Sequence, residues 1–181
     1  MTTPPLQEKK PVIIFANDDD AWHRTHAWAF REAYPMAEMI FVENIADIFT
    51  QIKKCGQEGK TVCAIICDER FELNRNLGHM LGDYVRASPE IPNIRAALEE
   101  NFTSKGKTIP IIITSGGTIR ARCQPNIYFL DINSYDAPFD ILEDKDTTTN
   151  PLARILNVAL GLSQEDLSSL QQTTNDTYWV R

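Results

Sequence analysis

The chain has 181 residues, 43% hydrophobic and 24% charged, a length and balance suited to one sizeable core. Lys and Arg number 18 against 25 Asp and Glu, and a net charge of −7 with no basic cluster excludes nucleic acid and anionic membrane as expected partners. The opening MTTPPLQEKK has no apolar core for a signal peptide. No run approaches the roughly 18 apolar residues of a membrane span, so the expected location is the cytoplasm.

Residues 1–10 read as a flexible N-terminus. Five apolar runs of strand length follow: Val12–Ala16, Met39–Val42, Val62–Cys67, Ile109–Thr114 and Ile127–Ile132. They are continuous rather than alternating, the pattern of strands covered on both faces of a parallel sheet. Between the first two, Ala21–Tyr34 carries Trp22, Ala29, Phe30 and Ala33 at helical spacing and ends at Pro35; a second helix is expected over Ile45–Lys54, closed by Gly56. Strand alternating with helix is the signature of βαβ units.

The connection Glu69–Thr108 is longer than one crossover helix needs. It predicts a helix over Leu77–Arg86, a turn at Ser88–Pro92 and a helix over Asn93–Phe102, within an insertion of about residues 72–107 before the fourth strand. After an acidic, turn-rich stretch, Pro151–Leu162 reads as an amphipathic helix ending near Gly161. Ser163–Asp166 offers a capping box for a further short helix, so residues 163–181 form a C-terminal helix and tail. The expected fold is α/β: a flavodoxin-like, doubly wound, five-stranded parallel sheet.

In such a sheet the usable crevice lies at the carboxyl ends of the strands, where strand order reverses. The first run ends in Asn17, Asp18, Asp19 and Asp20, the third in Asp68 and Glu69, the fourth in Thr114 and Ser115, and the fifth in Asp131. Converging carboxylates repel, and a divalent cation offsets that cost. Mg²⁺ suits such a site because it takes oxygen ligands and commonly uses one or two carboxylates plus water and phosphate. Asp68, at the tip of a central strand, is placed to act as a nucleophile toward phosphorus. Asn17, Asp18 and Asp19, with Asp68, would hold the metal, and the Thr114 hydroxyl would donate to a phosphoryl oxygen. The plainer reading makes Asp18–Asp20 a helix N-terminus and the other polar ends ordinary turns.

The order VIIFANDDD, CAIICDE, PIIITSGG resembles the receiver domain of bacterial response regulators over Pro11–Leu162. The resemblance implies Asp68 as phosphoacceptor, Asn17 and Asp18 in the acidic pair, and Thr114 as the hydroxyl residue. It also implies a histidine kinase, a phosphotransfer protein or another signalling protein as partner. As a receiver the chain would catalyse at most its own phosphorylation and dephosphorylation. YFLDIN departs from the pattern by placing Asp131 where the family has lysine, which opposes phosphorylation. Two functions therefore stand: a Mg²⁺-dependent phosphorelay receiver, and a phosphorylation-independent pseudo-receiver acting as a protein-interaction module. A flavodoxin-like binder of a small nucleotide or flavin is a third, without a recognisable phosphate loop.

Other signals are weaker. Gly59-Lys60-Thr61 resembles the end of a P-loop but leads into a strand instead of a helix. His23 and His26 read as packed or surface residues. Cys55, Cys63, Cys67 and Cys123 lack a CxxC pair, so reduced structural thiols are expected. GLSQEDLSSL resembles the opening of a helix-turn-helix with too little chain after it for a recognition helix, and NDTYWVR carries two aromatics that either pack back or anchor a partner.

Overall fold

The computed structural model describes residues 9–72, 84–115, 125–131 and 150–165. In chain order it contains β1 (Val12–Ala16), α1 (Asp20–Ala33), β2 (Glu38–Val42), α2 (Ile45–Gln57), β3 (Val62–Asp68), β4 (Arg70–Glu72), β5 (Tyr84–Arg86), α3 (Ile91–Phe102), β6 (Ile111–Ser115), β7 (Ile127–Asp131) and α4 (Pro151–Ala159). The main sheet runs β2-β1-β3-β6-β7, with every neighbouring pair parallel. With β4 and β5 set aside as a separate antiparallel pair, this is the 2-1-3-4-5 order of flavodoxin-like folds. The fold is the doubly wound sheet that the five apolar runs predict.

Burial on both faces explains those runs. All five residues of β1 are at most 1% exposed. Val12, Ile14 and Ala16 face one cluster, with Ile48 and Ile52 of α2 and Ile94 and Leu98 of α3; Ile13 and Phe15 face the other, with Phe30 of α1 and Ile155 and Leu156 of α4. His26 belongs to this second layer, stacked at 6.0 Å on Phe15, a packed residue as its setting suggested. Cys55, Cys63 and Cys67 are free thiols; Cys123 lies outside the described residues.

Two helix ends show how local chemistry sets boundaries. At α2 the terminating glycine is Gly59, at φ +61°, and not Gly56, which lies inside the helix. Gly59 N–H donates to Gly56 O and Lys60 N–H to Cys55 O, a Schellman motif that needs the left-handed residue two positions past the last helical one. Lys60 then pairs with Glu38 at 2.9 Å and Glu58 at 3.3 Å, and the strand Val62–Asp68 that follows, in place of a helix, disposes of the P-loop resemblance. Gly161, at φ +71°, closes α4 in the same way, with Leu162 N–H on Asn157 O.

The segment after β3 differs from expectation. Tyr84–Arg86, read as the end of a helix, is a strand paired antiparallel with Arg70–Glu72; the rest of that predicted helix lies outside the described residues. Backbone pairing with a segment more than ten residues away outweighs the helical spacing of the apolar side chains. The strand predicted from Ile109 begins instead at Ile111, since Pro110 has no N–H to give the ladder. Ser163 Oγ accepts from Glu165 N–H at 3.2 Å, while the helix expected beyond it, like the tail, lies outside the described residues.

Gly106 is a packing requirement rather than a turn requirement. A Cβ there would stand 2.4 Å from Leu98 O and 2.6 Å from Glu99 Cα, both backbone of α3. Gly106→Ala is therefore expected to cost about 3 kcal/mol, read as a lower denaturant midpoint at unchanged slope.

Candidate functional site at the carboxyl ends of the strands

The strand order reverses between β1 and β3, so the crevice opens outside their carboxyl ends. Asn17 follows β1 directly and its N–H still donates to Val42 O at 3.0 Å, extending the ladder to β2. Its side chain is buried, and Oδ1 accepts from Asp19 N–H at 2.7 Å. That Asx turn redirects the chain into α1. Asp18 is left half-buried and Asp19 exposed.

Asp68 closes β3 and pairs in register with Thr114 of β6. Its Oδ1 accepts from Glu69 N–H at 2.8 Å, and Arg70 N–H also donates to the carboxylate. Burial dominates these contacts and, with the charge of Asp18 adding to it, raises the Asp68 carboxyl from 3.8 to about 6. The structure thus brings Asp68 and Asp18 into one electrostatic neighbourhood, as the convergence of the strand ends predicts. Thr114 is buried at 2% exposure, and its hydroxyl donates to Cys67 O at 3.4 Å, so here it is turned to the β3 backbone. Asp131 ends β7 in register with Ser115, one strand beyond Thr114. Among the described residues, no three His, Cys, Asp or Glu side chains gather to hold a metal by themselves.

Sequence reasoning gave Glu69 no role. Its side chain is buried: Oε2 accepts from Ser88 N–H at 3.0 Å and Oε1 from Ser88 Oγ at 2.7 Å. The carboxylate caps the short 3-10 turn Ser88–Glu90 that leads into α3, an anion at the positive end of a helix. The sequence reads Ser88–Pro92 as a turn before a helix from Asn93, and nothing local says that a cap arrives from nineteen residues earlier.

No protein-family model and no curated protein matches the sequence. Among solved structures, the chain is similar to a response regulator in red light signalling of R. palustris, at 12% identity and a TM-score of 0.47 over 81% of this chain and 92% of that one. It is similar to the signal receiver domain of a DNA-binding response regulator from Colwellia psychrerythraea 34H, at 14% identity and a TM-score of 0.37 over 93% and 98%. A 3-dehydroquinate dehydratase-like protein from Bifidobacterium longum matches at 8% identity and a TM-score of 0.40 over 75% and 94%. On its own strand order and strand-end residues, the chain is a flavodoxin-like domain that resembles response-regulator receivers.

Proposed function

We propose that this chain is a receiver-like signalling domain in which Asp68 accepts a phosphoryl group and a partner protein reads the result. The observation that carries the reading is Asp68 itself: a partly desolvated carboxylate at the tip of a central strand, next to the charge of Asp18 and in register with Thr114. In the proposed step an Asp68 carboxylate oxygen bonds to phosphorus while the bond from phosphorus to the donor breaks, its electron pair leaving with the donor group. Water later cleaves the acyl phosphate, returning the carboxylate and inorganic phosphate.

The residues fit a hard divalent cation such as Mg²⁺, because the charge of Asp18 opposes ionisation of the Asp68 carboxyl and such an ion offsets the repulsion between two carboxylates. Asp18 and Asp68, with Asn17 and Asp19 beside them, would hold it as a sparse site completed by water and phosphoryl oxygens. Bound there, Mg²⁺ would neutralise the transferring oxygens. The Thr114 hydroxyl would leave Cys67 O to donate to the phosphoryl group. A histidine kinase or phosphotransfer protein is the proposed donor, approaching the carboxyl edge beside α1.

Asp131 favours a second reading, a pseudo-receiver that works by protein contact without phosphate. Asp131→Lys separates the two. It replaces an anion by a cation at the end of β7 and is expected to speed modification of Asp68 by a small acyl phosphate about tenfold. Phosphoryl uptake by the parent, quickened in Asp131→Lys, supports the receiver; uptake by neither protein supports the pseudo-receiver.

A further inference from the structure

Glu69 is bound in three directions within one residue of Asp68. Its N–H is shared between Asp68 Oδ1 and Thr114 O, each at 2.8 Å. Its carbonyl accepts from Ala87 N–H at 2.9 Å, at the end of β5. Its carboxylate holds both the N–H and the hydroxyl of Ser88. Arg70, whose N–H also reaches the Asp68 carboxylate, begins β4 and pairs with Arg86. The amides that hold the Asp68 carboxylate are therefore the same peptides that start the hairpin, and the hairpin's far strand returns to Glu69. A helix cap alone would need only the carboxylate of Glu69 and would place no demand on its neighbour.

We propose that Glu69 is a positioning residue that couples the charge on Asp68 to the β4–β5 hairpin and to the turn opening α3, making the hairpin the element that reports the state of the site. A charged acceptor holds an amide about twice as strongly as a neutral one, so removing the charge loosens the Glu69 and Arg70 peptides. That loosening passes through Glu69 O and Oε to Ala87 and Ser88. The coupling itself follows from the charge on Asp68; its use as a signal rests on the reading of Asp68 as phosphoacceptor.

Amide hydrogen exchange on the full chain tests it, in Asp68→Asn, Ser88→Ala, Ser88→Thr and the Asp68→Asn/Ser88→Ala double variant. Asp68→Asn is expected to speed exchange at the Ala87 and Ser88 amides about fivefold, while the amides of β1, which open only with the whole fold, are not sped. The double variant should show much less than the summed effect of its parts, and Ser88→Thr, which keeps the hydroxyl, should retain the coupling. Exchange at Ala87 and Ser88 that ignores Asp68→Asn overturns the proposal, as does a full Asp68→Asn effect in the Ser88→Ala background. Beryllofluoride with Mg²⁺ divides the two claims. A wild type that binds it without change at these amides overturns the coupling, whereas failure to bind it, with the Asp68→Asn effect intact, supports the coupling and removes only the phosphoacceptor reading.

Discussion

Asp68→Asn should melt higher than the parent at pH 7 in metal-free buffer, and the difference should vanish below about pH 4. Burial and Asp18 raise the Asp68 carboxyl from 3.8 to about 6 in the fold. The group therefore contributes stability that is fully present below pH 3.8, while the carboxyl is neutral in both the folded and the unfolded chain, and that is lost as pH rises through about 6. A tenfold change in proton affinity corresponds to about 1.4 kcal/mol, so the ionised carboxylate costs the parent about 2 kcal/mol at neutral pH after allowance for its partial solvation. Asn keeps the shape and an acceptor for the Glu69 N–H without the charge. Thermal melts of both proteins across pH 4 to 8 check this, because subtracting the two curves removes every other titrating group. A chain that retains a destabilising carboxylate at this position fits a functional use for it, since stability is commonly traded for activity at such sites.

Arg95→Met should lower stability by about 3 kcal/mol. The guanidinium lies half-buried on α3 and donates to three carbonyls: Gly106 O at 2.6 Å, Ile109 O at 2.8 Å and Asn126 O at 3.3 Å. These belong to the turn after α3, the approach to β6 and the approach to β7, so one side chain gathers the amino-terminal ends of two strands. Desolvation lowers its pKa, with Glu99 and Tyr128 opposing that effect, yet a guanidinium stays charged. Met preserves the packed stem and leaves three carbonyls to water or to nothing. Arg95→Lys should recover only part of the loss, because an ammonium cannot span three acceptors with the fixed fork of a guanidinium. Urea unfolding measures both. Equal stability of Arg95→Met and the parent would mean that the carbonyls are solvated equally well without it.

The parallel sheet was legible because burial on both faces leaves a one-dimensional mark: five runs of Ile, Val, Phe and Cys, each stopped by a polar residue. The same stops located Asn17, Asp18, Asp68 and Thr114, since β1 and β3 are adjacent and β3 pairs with β6. What stayed hidden depends on partners distant in sequence. Tyr84–Arg86, though it holds the β-favouring Tyr84 and Val85, is too short to stand out as a strand and becomes one by pairing with Arg70–Glu72. Gly56 and Gly59 are both plausible helix terminators by residue type; only the bonds to Cys55 O and Gly56 O select Gly59. Arg95 reads as an ordinary surface residue of a helix until the carbonyls of Ile109 and Asn126 close on it. Glu69 reads as a second acid at a strand end, with no sign of Ser88.

Whether Asp68 accepts phosphate despite Asp131 is decided by intact-mass measurement of the protein incubated with a small acyl phosphate, with and without Mg²⁺, beside Asp68→Asn. A single phosphoryl adduct that requires Mg²⁺ and is absent from Asp68→Asn is the expected result. No adduct on the wild type, or one that survives in Asp68→Asn, would overturn the assignment of Asp68 and move the search for function to the protein-contact surfaces.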